Sequence, residues 1–109
     1  MEKDIIIKIN ELKTKQILCQ LYLAKHKQLA YTNGEVEIMM KNVGIESKLN
    51  DIEDEIGKLV VDNKDYFESV SVEHLQELSG QYKITLEQQR QFAKEVLGFE
   101  TTVDELVDE

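Results

Sequence analysis

Proline is absent from this chain, tryptophan is absent, cysteine occurs once and glycine five times. Each shortage excludes something. A sheet-rich domain turns often and draws on Pro and Gly to do so, and their scarcity across 109 residues favours helix. A lone cysteine has no internal disulfide partner, which makes the cytoplasm the expected compartment. Seven aromatic residues leave most of the packing to Ile, Leu and Val. No apolar run approaches the roughly 18 residues that cross a bilayer, so no membrane segment is expected. The opening "MEKDIIIKIN" carries acids at Glu2 and Asp4 and only three consecutive isoleucines, which is not the pattern of a secretory leader. The sequence also lacks a Gly-rich phosphate loop, a nucleophile elbow and a Cys-x-x-Cys pair.

Basic charge is short overall but not evenly so. The net charge is −9, yet residues 1–33 hold six Lys against three acids and residues 34–109 hold seven Lys or Arg against nineteen acids. The halves therefore carry +3 and −12. One reading is a slightly basic segment packed beside an acidic one; the other is an acidic surface addressing a basic partner. Both argue against direct nucleic-acid binding, because phosphate contacts need a basic face.

What the chain does have is helical periodicity. Residues 10–30 place Leu12, Ile17, Leu18, Leu21, Tyr22, Leu29 and Ala30 on one broad face without a Gly or Pro. Ahead of them, Ile5, Ile7 and Ile9 alternate as in a strand, while Ile5, Ile9 and Leu12 fit a helical face. A strand would need a partner, and "EVEIMM" at 35–40 is the one other candidate, so helix is preferred. Asn33-Gly34 signals a hairpin between strands. After a long helical pattern it predicts a helix end, with Asn33 or Gly34 in the left-handed cap conformation. The alternative is one unbroken helix crossing Gly34 at about 1 kcal/mol.

A second helix is expected over about 35–62, with a weak point at 42–44. "DNKDYFESVS" (62–71) loses the period and reads as a connection. Ser71 then looks like the N-cap of a short helix ending at Gly80. Thr85 and Gln88 have capping-box spacing, Gly98 is a stop, and Thr102 with Glu105 repeats the box before Leu106. The expected fold is all-α and a single domain over 1–109. It comprises a long antiparallel helical hairpin (about 5–30 and 35–62) and a 63–109 segment of two or three short helices, with room for dimerisation to complete a bundle.

Between 44 and 61, Leu49 and Ile56 take heptad position a, and Ile45, Ile52 and Leu59 take position d. This stripe is the candidate interface. It either seals the hairpin internally or meets a second copy or another protein. Carried backwards, the register puts Asn42, Glu35 and Gln28 on the seam. An internal seam would bring Lys8, Lys13, Lys15, Lys25 and Lys27 near Asp51, Glu53, Asp54 and Glu55, in exposed pairs worth about 0–1 kcal/mol each. Those four acids are also the candidate acidic surface, and Asp51 and Glu55, one turn apart, could bridge a divalent cation. A solvated face is the preferred reading. Cys19 and His26 sit two turns apart without the further ligands a metal site needs, and His74 stands beside Glu73 and three residues before Glu77. No metal, cofactor, small-molecule substrate or catalytic residue is expected.

The segment "QFAKEVLGFETTVDELVDE" (91–109) is similar to the closing helix–turn–helix segment of tail-assembly chaperones from phages of Gram-positive hosts. The shared features are a Phe-led helix, the Gly98 stop and Thr102-x-Asp104-Glu105-Leu106. The likeness covers less than a fifth of the chain and implies no site residue. The leading expectation is a non-catalytic interaction module — an adaptor, assembly factor or regulatory subunit — that binds a protein partner or a second copy. Two alternatives are a small acidic inhibitor that imitates nucleic acid and blocks a nucleic-acid-acting defence enzyme, and a tail-assembly-chaperone-like protein.

Overall fold

The heptad stripe of the second helix needs an apolar surface to lie on, and the first helix supplies it. The structure, a computed structural model, describes residues 2–33 and 36–108, with side chains described outside 27–33. Among the described residues six helices follow in order: α1 (Glu2–Asn33), α2 (Val36–Asp62), α3 (Lys64–Ser69), α4 (Val72–Gln81), α5 (Leu86–Leu97) and α6 (Val103–Asp108). The described residues contain no strand, so the fold is all-α and residues 4–9 belong to α1. α1 and α2 run antiparallel. Asn42 faces the carbonyl of His26 at one end, and Ile56 and Val60 stand beside Ile6 and Ile9 at the other. That excludes one unbroken helix. The cap expected at Gly34, and the seam positions Gln28 and Glu35, lie outside the described residues or side chains; Asn33 is helical.

α1 is the central element. α2 packs along it, and α4, α5 and α6 return along it as well; α5 also touches α2. The core therefore forms where four helices meet. Leu12, Leu18, Cys19, Tyr22 and Leu23 from α1 close on Ile45 and Ile52 from α2, Ala93, Val96 and Leu97 from α5, and Leu106 from α6. Packing from more than one side explains why the buried residues of α1 spread round it. Ile6 is buried where the sequence face named Ile5 and Ile9, and Ile17 is exposed. The molecule extends 50 × 26 × 20 Å with a radius of gyration of 15.8 Å. A compact globule of this length would have about 13 Å.

Helix boundaries follow local chemistry. Ser71 Oγ accepts the His74 N–H at 3.1 Å and starts α4. Thr85 and Gln88 exchange both bonds of a capping box, and Gly98 ends α5 with φ 87°. At α6 the box is half formed. Thr102 Oγ1 accepts the Glu105 N–H at 3.2 Å, while the Glu105 carboxylate turns to Arg90 and Thr101. Three expectations are corrected. Residues 62–71 contain α3, a short helix closed by the Val70 N–H on the Tyr66 carbonyl. α4 continues through Gly80 to Gln81, because Asn10 Nδ2 donates to the Ser79 and Tyr82 carbonyls at its end. α2 runs unbroken through 42–44, where Gly44 is exposed and Ile45 is held in the core.

Candidate functional site

The stripe 45–59 is turned inward. Ile45 and Ile52 are buried, and Leu49, Ile56 and Leu59 pack half-buried against the same core. The adjoining seam position, Asn42, is buried too. Its Nδ2 donates to the His26 carbonyl at 3.5 Å, and its Oδ1 has no partner among the described residues.

The predicted pairing of the α1 lysines with Asp51, Glu53, Asp54 and Glu55 does not form among the described residues. Lys15 Nζ lies 3.1 Å from Glu95 and 5.1 Å from the Phe92 ring centre, and Lys25 donates to the Leu106 carbonyl. α5 lies along the α1–α2 groove and offers Lys15 a nearer carboxylate, while heptad positions c and f turn Asp51 and Asp54 to solvent. The side chain of Lys27 lies outside the described ones. All four acids are exposed.

The groups with chemical potential are placed apart. Cys19 is fully buried, and burial raises its thiol pKa to about 11 against a lowering by Lys48. His26 stacks on Tyr22 with ring centres 4.1 Å apart. His74 faces Glu2 instead of Glu77. Its Nε2 lies 3.3 Å from both Glu2 oxygens, and Tyr66 Oη donates to the same carboxylate at 2.9 Å. Burial, then that hydrogen bond and the Glu2 charge, raise the Tyr66 pKa. The cluster clasps α3 and α4 to the start of α1. Among the described residues no group of three His, Cys, Asp or Glu is arranged to hold a metal ion, and no helix is long and apolar enough to cross a membrane.

Among the described residues, two apolar surfaces stand at opposite ends of the molecule. The first is a ridge on α2. Val36, Met40 and Val43 expose 66%, 69% and 65% of their surface and Met39 46%. Spacings of three, four and seven put them in an arc of about 100°, centred roughly 170° around α2 from the seam, at 100° per residue. The sequence reading treated "EVEIMM" only as a rival strand. Its i, i+3, i+4, i+7 pattern was the signal, but it was masked because the seam and the ridge load both sides of one helix. The second surface is a groove of about 320 Å³ between α1, the end of α2, α3 and α4. Ile6, Ile9, Ile56, Val60, Phe67 and Leu75 form most of its wall, and exposed Val72 stands on its rim.

No protein-family model, curated protein or solved structure matches this chain.

Proposed function

We propose that the protein is a non-catalytic interaction module that docks through the exposed face of α2. The ridge of Val36, Met39, Met40 and Val43 carries this reading. Four large apolar side chains in helical register stand in water although the helix already has a buried seam. Contiguous apolar surface of this kind marks a contact site, and i, i+3, i+4, i+7 anchors suit a helix entering a groove. Two methionines add adaptable contact area. The seam stripe Ile45, Leu49, Ile52, Ile56 and Leu59 supports the same reading indirectly, by holding α2 rigid while its other face is offered.

The exposed acids Asp51, Glu53, Asp54 and Glu55 favour a second reading. They stand outside the ion pairs of the described residues, on a chain of net charge −9, and suit a basic partner such as the channel of a nucleic-acid-acting enzyme. The helix–stop–helix of 91–109 supports tail-assembly chaperone work only through its local likeness. The readings separate by photo-crosslinking in cells, with a photoreactive amino acid replacing Met40, Asp54 or the exposed Gln91 of α5 in the full chain. Adducts at Met40 alone are expected. Adducts at Asp54 alone would replace the ridge by the acidic face, and no adduct at either would overturn the docking reading.

A further inference from the structure

The groove between α1, the end of α2, α3 and α4 differs from the ridge in having one polar end. α4 lies alongside α1 and runs the same way, since His74 faces Glu2 and Ser79 bonds to Asn10. The wall therefore passes from Ile6 and Phe67 at one end to Ser79 and Lys13 at the other, about 10 Å at 1.5 Å per residue. Apolar side chains fill most of it. Lys13 is its one charged residue among the described residues, and no carboxylate lines it. We infer that this groove binds a straight-chain carboxylate of about eight to ten carbons, with the chain along the isoleucines of α1 and the head on Lys13.

Three observations select this occupant. The first is an unengaged cation. Lys15 pairs with Glu95, Lys25 donates to the Leu106 carbonyl and Lys3 lies over the Tyr82 ring, whereas Lys13 makes no ion pair, hydrogen bond or ring contact among the described residues. Gln76, in the same wall, leaves its amide equally free to donate. The second is the polarity of the groove along its length. Lys83, with Asp104, stands in the adjoining hollow beyond Lys13. The far end is bounded by the Glu2 carboxylate, one turn before Ile6 and held by Tyr66 and His74. An anionic head is drawn to the Lys13 end and repelled from the other, so the ligand has one orientation. Glu53, Asp65, Glu68, Glu73 and Glu77 are exposed and lie outside the wall, where salt screens them over about 8 Å. The third is volume. At about 30 Å³ per atom, water's share of its liquid, a space of 320 Å³ takes roughly ten non-hydrogen atoms, as many as octanoate has. The three or four large anchors of a docked helix exceed that.

The test is methyl NMR on the full chain titrated with octanoate, with 1-octanol and octylammonium as its neutral and cationic counterparts. Octanoate is expected to shift the methyls of Ile6, Ile9, Ile56 and Leu75. It is expected to bind about threefold more tightly than octanol, and octylammonium more weakly than either. Each methylene removed from the chain is expected to weaken binding about two- to fourfold. Lys13→Gln, at an exposed position, is expected to bring octanoate to the affinity of octanol and to leave octanol unchanged. A merely structural lysine would move both ligands alike. Unshifted groove methyls would overturn the inference, as would octanoate binding no tighter than octanol, or Lys13→Gln binding octanoate like wild type. Equal shifts at the Met39 and Met40 methyls would mean indiscriminate binding to apolar surface and overturn it too. So would a protein adduct in cells through a photoreactive amino acid replacing Val72, which would give the groove to a polypeptide, whether a second copy or another chain.

Discussion

Asn42 puts a carboxamide next to the aliphatic stripe Ile45–Leu59 of α2. Its Oδ1 has been taken out of water without a partner among the described residues, and the single bond from its Nδ2 is long at 3.5 Å. An unmet buried amide acceptor costs about 1–3 kcal/mol. Such a residue is retained in helical seams because it penalises wrong registers. Asn42→Leu is therefore expected to stabilise the fold by about 1–2 kcal/mol, which raises the Tm by roughly 5 °C or more in a thermal melt. An unchanged or lower Tm would mean that the amide is satisfied from the other side of the hairpin. The heptad phase alone placed Asn42 on the seam. That its Oδ1 has no partner among the described residues was invisible in the sequence, because that depends on which donors of the packed neighbours come within reach.

At the scale of elements, the short helices are held by crossed side chains more than by their own length. Gln89 of α5 accepts the first N–H of α6 from Val103 at 3.1 Å, and Arg90 grips Glu105 at 2.6 Å. That hydrogen bond is the main reason the Glu105 carboxyl lies below its ordinary pKa of 4.5. The pair's contribution to stability is thus whole above about pH 4.5 and is lost as the pH falls through the lowered folded value. In thermal melts, the Tm gap between wild type and Glu105→Gln is expected to be widest near pH 7 and to close under acid. A gap that stays constant down to pH 3 would contradict this. The Thr85 box and the Gly98 stop were legible because a cap is a contract between residues a few positions apart. Glu105 was read as the back-bonding member of a second box. Arg90, fifteen residues away and invisible to a local rule, is the stronger partner and draws the carboxylate off.

For the molecule as a whole, the two faces of α2 predict opposite behaviour. Ile52 is buried among α1 and α5 residues, so Ile52→Asp puts a carboxylate into the core. A cost above about 4 kcal/mol is expected, a large share of the 5–15 kcal/mol typical of a domain. Val43→Asp on the ridge is expected to change stability by less than about 0.5 kcal/mol. Helicity by circular dichroism should collapse or melt early in the first variant and persist in the second. A folded Ile52→Asp protein would mean that the hairpin does not depend on that seam.

By itself, the sequence settled the helical class, the antiparallel pair, the boundaries with caps and the placing of Ile45, Leu49, Ile52, Ile56 and Leu59 on one face. These follow from interactions between residues close in the chain, or from one periodicity along one helix. Tertiary structure alone decided the rest. It showed that α1 is covered from both α2 and the α4–α6 return, that Lys15 answers Glu95 and not the acids of α2, that α3 exists, and that the apolar surplus lies in the ridge and the groove. Those outcomes depend on which elements compete for the same surface. Periodicity says that a face is apolar; only the packed neighbours say whether anything covers it.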